Sequence, residues 1–121
     1  MKKTITIIIP AIAWLLLSFY LLTLPGTQLP QEDWLDKIWI DKWVHIAMFG
    51  LLVWLWCRVF VKKSKRFFLA ICIACILYGI AMEFVQKYLV INRSFDIGDI
   101  VADAVGSSLG LYMSLRMFIK K

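Results

Sequence analysis

The sequence predicts an all-α fold, an integral membrane four-helix bundle, and three features of its 121 residues carry that reading. Hydrophobic residues make up 62% of the chain and charged residues 18%, too apolar a mixture for a soluble domain of this size to keep its surface wetted. The apolar residues gather in runs of about 20, the length that crosses a bilayer core as a helix. Lysine and arginine sit beside the ends of those runs. Four spans with short connections use up the chain, so residues 1–121 are expected to form a single domain.

The first run, about 5–24, follows Lys2-Lys3 and ends at Pro25-Gly26, a strong helix stop. It is longer than the apolar stretch of a signal peptide, roughly 7–15 residues, and no small-residue cleavage pattern follows, so a retained helix is expected. Pro10, near its start, is expected to cost little, because a first-turn proline removes no intrahelical bond. The second run, about 41–61, and the third, about 67–87, are joined by Lys62-Lys63-Ser64-Lys65-Arg66. That turn is short enough to make the two helices antiparallel neighbours. The fourth run, about 98–118, contains Gly106-x-x-x-Gly110, a small-residue face that lets helices approach closely.

A net charge of +6 and a pI near 9.4 would suggest nucleic acid if the basic residues formed a patch on a soluble face. Their positions exclude it and give an orientation. Lys2, Lys3, Arg58, Lys62, Lys63, Lys65, Arg66, Arg116, Lys120 and Lys121 fall on one side of the predicted spans with no acid among them. Lys37, Lys42, Lys87 and Arg93 share the other side with all eight carboxylates: Glu32, Asp33, Asp36, Asp41, Glu83, Asp96, Asp99 and Asp103. Basic residues are retained in the cytoplasm, so both termini are expected there and residues 25–40 and 88–97 outside. Trp34, Trp39 and Trp43 suit the outer headgroup layer, which indoles prefer.

Cys57, Cys72 and Cys75 all lie inside apolar runs. The Cys72-x-x-Cys75 spacing has no second pair and no neighbouring histidine to complete a ligand set, so ordinary packing thiols are expected.

The polar residues inside the runs are harder to dismiss, since a charge at mid-bilayer costs about 2.5–3.5 kcal/mol on insertion scales. Asp41 and His45 are four apart on one face of the second helix and are expected to hydrogen-bond. Gly79, Glu83 and Gln86 form one stripe on the third, where Glu83 has Lys42, Lys87 and Arg93 as candidate ion-pair partners. Asp96, Asp99 and Asp103 follow helical spacing; Asp96 suits an N-cap and Asp99 the first turn, whereas Asp103 lies a turn deeper on the glycine face. Helices two to four therefore aim polar stripes of similar depth at one interior, with helix one peripheral. Such a cluster suits a phosphate, a divalent cation or a proton relay equally. Nucleophile-elbow, zinc and phosphate-loop signatures are missing, so the motifs assign no reaction class.

Asp41-Lys42-x-x-His45, Tyr78-Gly79 with Glu83-x-x-Gln86, Arg93-x-x-Asp96-x-x-Asp99 and Gly106-x-x-x-Gly110, in this order over residues 40–111, resemble the VanZ-like membrane proteins. The resemblance implies a small four-helix protein of the bacterial plasma membrane. It also links the chain to glycopeptide antibiotic resistance and makes the motif residues the functional centre. The expected function is recognition or modification of a lipid-linked or peptidoglycan-related substrate in an outward-facing polar cavity. His45, Glu83 and Asp99 are the candidate catalytic groups there, and Asp41, Lys42, Gln86, Arg93, Asp96 and Asp103 the binding groups. Membrane lipid is the expected partner. The alternatives are a small proton- or ion-coupled transporter in which Glu83 and Asp103 titrate, and an assembly partner whose polar cluster pins helix register.

Overall fold

A computed structural model describes residues 2–25, 39–60 and 64–119. Those residues form four α-helices: α1 Lys2–Leu22, α2 Ile40–Val59, α3 Lys65–Leu89 and α4 Ile97–Phe118. All four expected helices are present, each within a few residues of its predicted ends. Glu32, Asp33, Trp34, Asp36 and Lys37 between the first two helices, the turn residues Lys62 and Lys63, and Lys120 and Lys121 lie outside the described residues.

Local chemistry accounts for the helix ends. Ser64 caps α3, its hydroxyl accepting from the Phe67 amide at 3.2 Å, and Asp96 caps α4, accepting from the Gly98 amide at 2.8 Å. The expected cap at Asp96 and first-turn acid at Asp99 are both found. Pro10 differs from expectation. Because α1 begins at Lys2, the proline lies in the helix interior, where its missing N–H leaves the Thr6 carbonyl without its usual partner.

The helices run alternately up and down. The ends of α1 and α3 meet the starts of α2 and α4, which gathers Asp41, His45, Glu83, Asp96, Asp99 and Asp103 at one end. Lys2, Lys3, Arg58, Lys65, Arg66 and Arg116 belong to the opposite end. α2 and α4 make the most intimate pair. A Cβ on Gly106 would collide with the Ile46 carbonyl oxygen, and one on Gly110 with that of Gly50, so the two backbones touch at positions where no side chain fits. Phe49, Leu52, Val53, Cys57 and Phe68 are fully buried around this seam.

α1, α2 and α3 are long and apolar enough to cross a membrane; α4 is not among these helices. Its composition is diluted by Asp99, Asp103, Ser107, Gly110 and Ser114, all buried against the other helices, so α4 is polar where it faces its neighbours. Val101, Val105, Leu109 and Met113 form its exposed side.

Helix one is tied in more firmly than its apolar sequence suggests. It buries only Ala11, Ser18 and Leu22, yet the Trp14 indole donates to the Met48 carbonyl at 2.9 Å and Ser18 lies 3.0 Å from the Tyr78 hydroxyl. Carbonyls at its end accept from Gln86 and Arg93.

Candidate functional site

The acidic end is organised around two basic side chains of α2, Lys42 and His45. Lys42 extends its ammonium to Asp41, Asp96 and Asp99, each at 2.7 Å, using all three of its protons and joining the start of α2 to the start of α4. Oxygens of these three aspartates lie within 4.8 Å of one another, the compactness of a cation site, and Lys42 supplies the positive charge at their centre. The ammonium pulls the Asp96 carboxyl below the usual carboxylate range.

One turn deeper, His45 Nδ1 is 2.7 Å from Asp103 Oδ1, a buried hydrogen bond between α2 and α4. Its Nε2 lies 3.7 Å from Asp99 Oδ2, beyond hydrogen-bond length. The sequence paired His45 with Asp41; the structure gives His45 to Asp103 and Asp99, and Asp41 to Lys42. Asp41 stands at the exposed first turn and is drawn to the ammonium beside it, whereas the imidazole points into the α2/α4 seam. Gly79 of α3 makes room for this pair. A Cβ there would sit 2.6 Å from Asp103 Oδ2 and 3.1 Å from Phe49, whose ring stacks on the imidazole at a centroid distance of 6.5 Å.

Glu83 is 1% exposed and, among the described residues, pairs with none of its three candidate cations; its Oε2 accepts from the Asp96 backbone amide at 3.0 Å. Gln86, also buried, donates to the Leu22 carbonyl at 2.8 Å, and Arg93 donates to the Leu24 carbonyl at 3.1 Å. These two residues therefore tie α3 and the loop after it to α1. Lys87 lies over the rings of Tyr88 and Phe95. Glu83, His45, Asp99 and Asp103 thus share one buried layer with Lys42, Asp41 and Asp96 above it, while Gln86 and Arg93 lie toward α1.

Several contributors escaped sequence reasoning. Ser107 is fully buried four residues beyond Asp103, and its hydroxyl is unpartnered among the described residues. Ser18, which the sequence reading passed over, extends the polar line toward α1 through Tyr78 of the quoted motif; its signal was a serine within the apolar stretch Leu15–Leu22.

The sequence model of VanZ/LLP1 matches residues 5–119, nearly the whole chain. The chain belongs to the VanZ/LLP1 family. An uncharacterized protein of Schizosaccharomyces pombe is 32% identical to this VanZ/LLP1 protein over 115 residues, covering 94% of the chain and 64% of the relative. The chain thus spans a little less than two thirds of that relative's length. No solved structure matches.

In this VanZ/LLP1 protein the Lys42 hub has a testable pH dependence. Asp96 titrates lower when folded than unfolded, so its pairing stabilises the fold above the usual carboxylate pKa, about 4. That contribution is lost as pH falls through the depressed folded value. Thermal stability in detergent is expected to decline below about pH 4. Asp96→Asn is expected to flatten the Asp96-dependent part of the decline, and an unchanged acid profile in that variant would assign the loss to other groups.

Proposed function

We propose that this protein is a multi-pass membrane protein of the cell envelope, with all four helices crossing the bilayer and both termini cytoplasmic. Its His45 centre handles a proton for a lipid-linked or peptidoglycan-related substrate at the outer face. The observation that carries the reading is the imidazole itself. Asp103 holds Nδ1 at 2.7 Å and so fixes the ring's orientation, while Nε2 stops 3.7 Å short of Asp99, leaving a nitrogen able to exchange a proton with a third group.

Charge balance narrows the substrate. Asp41, Glu83, Asp96, Asp99 and Asp103 surround Lys42 and His45, five carboxyl groups around two basic side chains. A negative group entering this layer would be repelled, and a hydroxyl or amine is the group suited to stand beside His45. An anionic portion of the same molecule is better met by Arg93, which donates to a carbonyl, than by Lys42, whose protons are taken by three carboxylates. Family membership supports an envelope setting, since the VanZ-like proteins take their name from a component of glycopeptide resistance clusters.

Glu83→Gln and His45→Asn preserve shape while removing ionisable groups. Loss of envelope-linked activity by about 100-fold or more in His45→Asn, with the protein still inserted and folded, is the expected result. Full activity in both variants at unchanged stability would refute the assignment. Topology has its own test. A reporter active only outside the cytoplasm, fused after Lys121, should be silent, because all ten basic residues assigned to the inner side flank the helix ends there. Strong activity would invert the orientation.

A further inference from the structure

The second feature of the molecule lies away from the His45 layer. A cleft of about 420 Å³, open at its side, runs between α1, α2 and α3, lined by Leu15, Leu52, Trp56, Phe60, Ile71 and Tyr78 among others. Its volume is within the range of small-molecule sites, roughly 300–1,000 Å³. From Leu52 to Phe60 it follows α2 and its C-cap for about 12 Å at 1.5 Å per residue, a length along which a hydrocarbon chain can lie. Tyr78, hydrogen-bonded to Ser18, stands at its upper end.

The lower end meets the basic pole. Phe60 packs edge-on against Phe67 with ring centroids 4.7 Å apart, and Lys65 and Arg66, both exposed, directly precede Phe67 in the first turn of α3. Arg58 lies one turn beyond Trp54, its guanidinium 5.1 Å from that ring's centroid. The start of α3 also presents amides that lack intrahelical partners, and its dipole favours an anion. An apolar cleft ending at cations and a helix start matches a molecule with a hydrocarbon tail and an anionic head.

We infer that the α1/α2/α3 cleft is a binding site for one acyl chain of an anionic phospholipid, whose phosphate is met by Lys65 and Arg66 at the start of α3. Its head-binding end is at the opposite end of the bundle from the His45 layer, and its upper end stops at Tyr78, which packs on Phe49 beneath that layer. The site stands whether or not the proton-handling reading holds. The occupant is a lipid of the leaflet facing the basic pole, and its chain fills the gap that α1 spans without closing.

Native mass spectrometry of the full chain tests this, with phosphatidylglycerol and phosphatidylcholine of identical chains supplied in equal amounts. Each basic residue near an anionic lipid contributes roughly a factor of five, so a preference of roughly 25-fold for phosphatidylglycerol is expected. Lys65→Gln with Arg66→Gln should abolish the preference. Ala74→Phe, which projects a ring into the cleft, should remove retention of both lipids. Equal retention of the two lipids by the native chain, or undiminished retention in Ala74→Phe, overturns the proposal. A native dimer that Ala74→Phe converts to monomer overturns it too, because a second copy then covers the cleft. Lys65 and Arg66 are exposed, so their double variant decides the question even if Ala74→Phe fails to fold.

Discussion

Gly106→Leu is expected to prevent the bundle from assembling, and Gly106→Ala to lower its stability in detergent by about 3 kcal/mol, the upper range for overpacking. The reason is the identity of the obstacle. A Cβ at this position would lie 2.8 Å from Ile46 Cα, 2.9 Å from the Ile46 carbonyl carbon and closer still to its oxygen, all backbone atoms of α2 that no rotamer change can move. Relief requires α2 and α4 to separate, and separation stretches the 2.7 Å bond between His45 and Asp103 on the same two helices. Gly98→Ala is the matched control. Its added Cβ meets Lys42 Cε at 2.8 Å and Asp96 Oδ1 at 3.0 Å, the ends of side chains that can shift, so a cost below about 1 kcal/mol is expected. Thermal unfolding of both alanine variants in one detergent checks the contrast. Equal stability of Gly106→Ala and the native chain would show that the α2/α4 seam is looser than described.

The second large effect concerns the buried pair. His45→Leu leaves Asp103, 2% exposed, without its imidazole partner, and breaking a buried pair from one side costs about 3–5 kcal/mol. Replacing both partners is different. His45→Leu with Asp103→Leu removes the stranded carboxylate, and stability is expected to recover most of that loss, because apolar substitutes for a buried pair are often neutral or stabilising. Activity should not recover. That divergence separates a centre that works on a substrate from a pin that sets helix register: for a pin, activity would return in proportion to folded protein. Chemical and thermal unfolding of the single and double variants, read beside activity, distinguishes the two.

Apolar runs and their flanking charges determined four helices, their approximate ends and their alternating direction. These depend on local composition and on the short Lys62–Arg66 turn, so one sequence suffices to read them. The polar stripes on α2, α3 and α4 were legible for the same reason, since helical spacing assigns residues to a face without reference to any neighbour.

The choice of partners belonged to the tertiary structure. Asp41 and His45 share a helix face, yet Lys42 takes Asp41 while Asp103, 58 residues away, takes His45. That exchange depends on how closely α2 and α4 approach, which is decided by glycines facing carbonyls across the seam. Glu83 shows the same limit: sequence offered three cations, and the fold supplied the backbone amide of Asp96, whose position depends on the loop between α3 and α4. The cleft beside α1 lay further still from sequence reasoning. Its lining comes from three helices, each contributing ordinary apolar residues, and a void between them exists only once the Ser18–Tyr78 and Trp14–Met48 contacts set how far α1 stands from its neighbours.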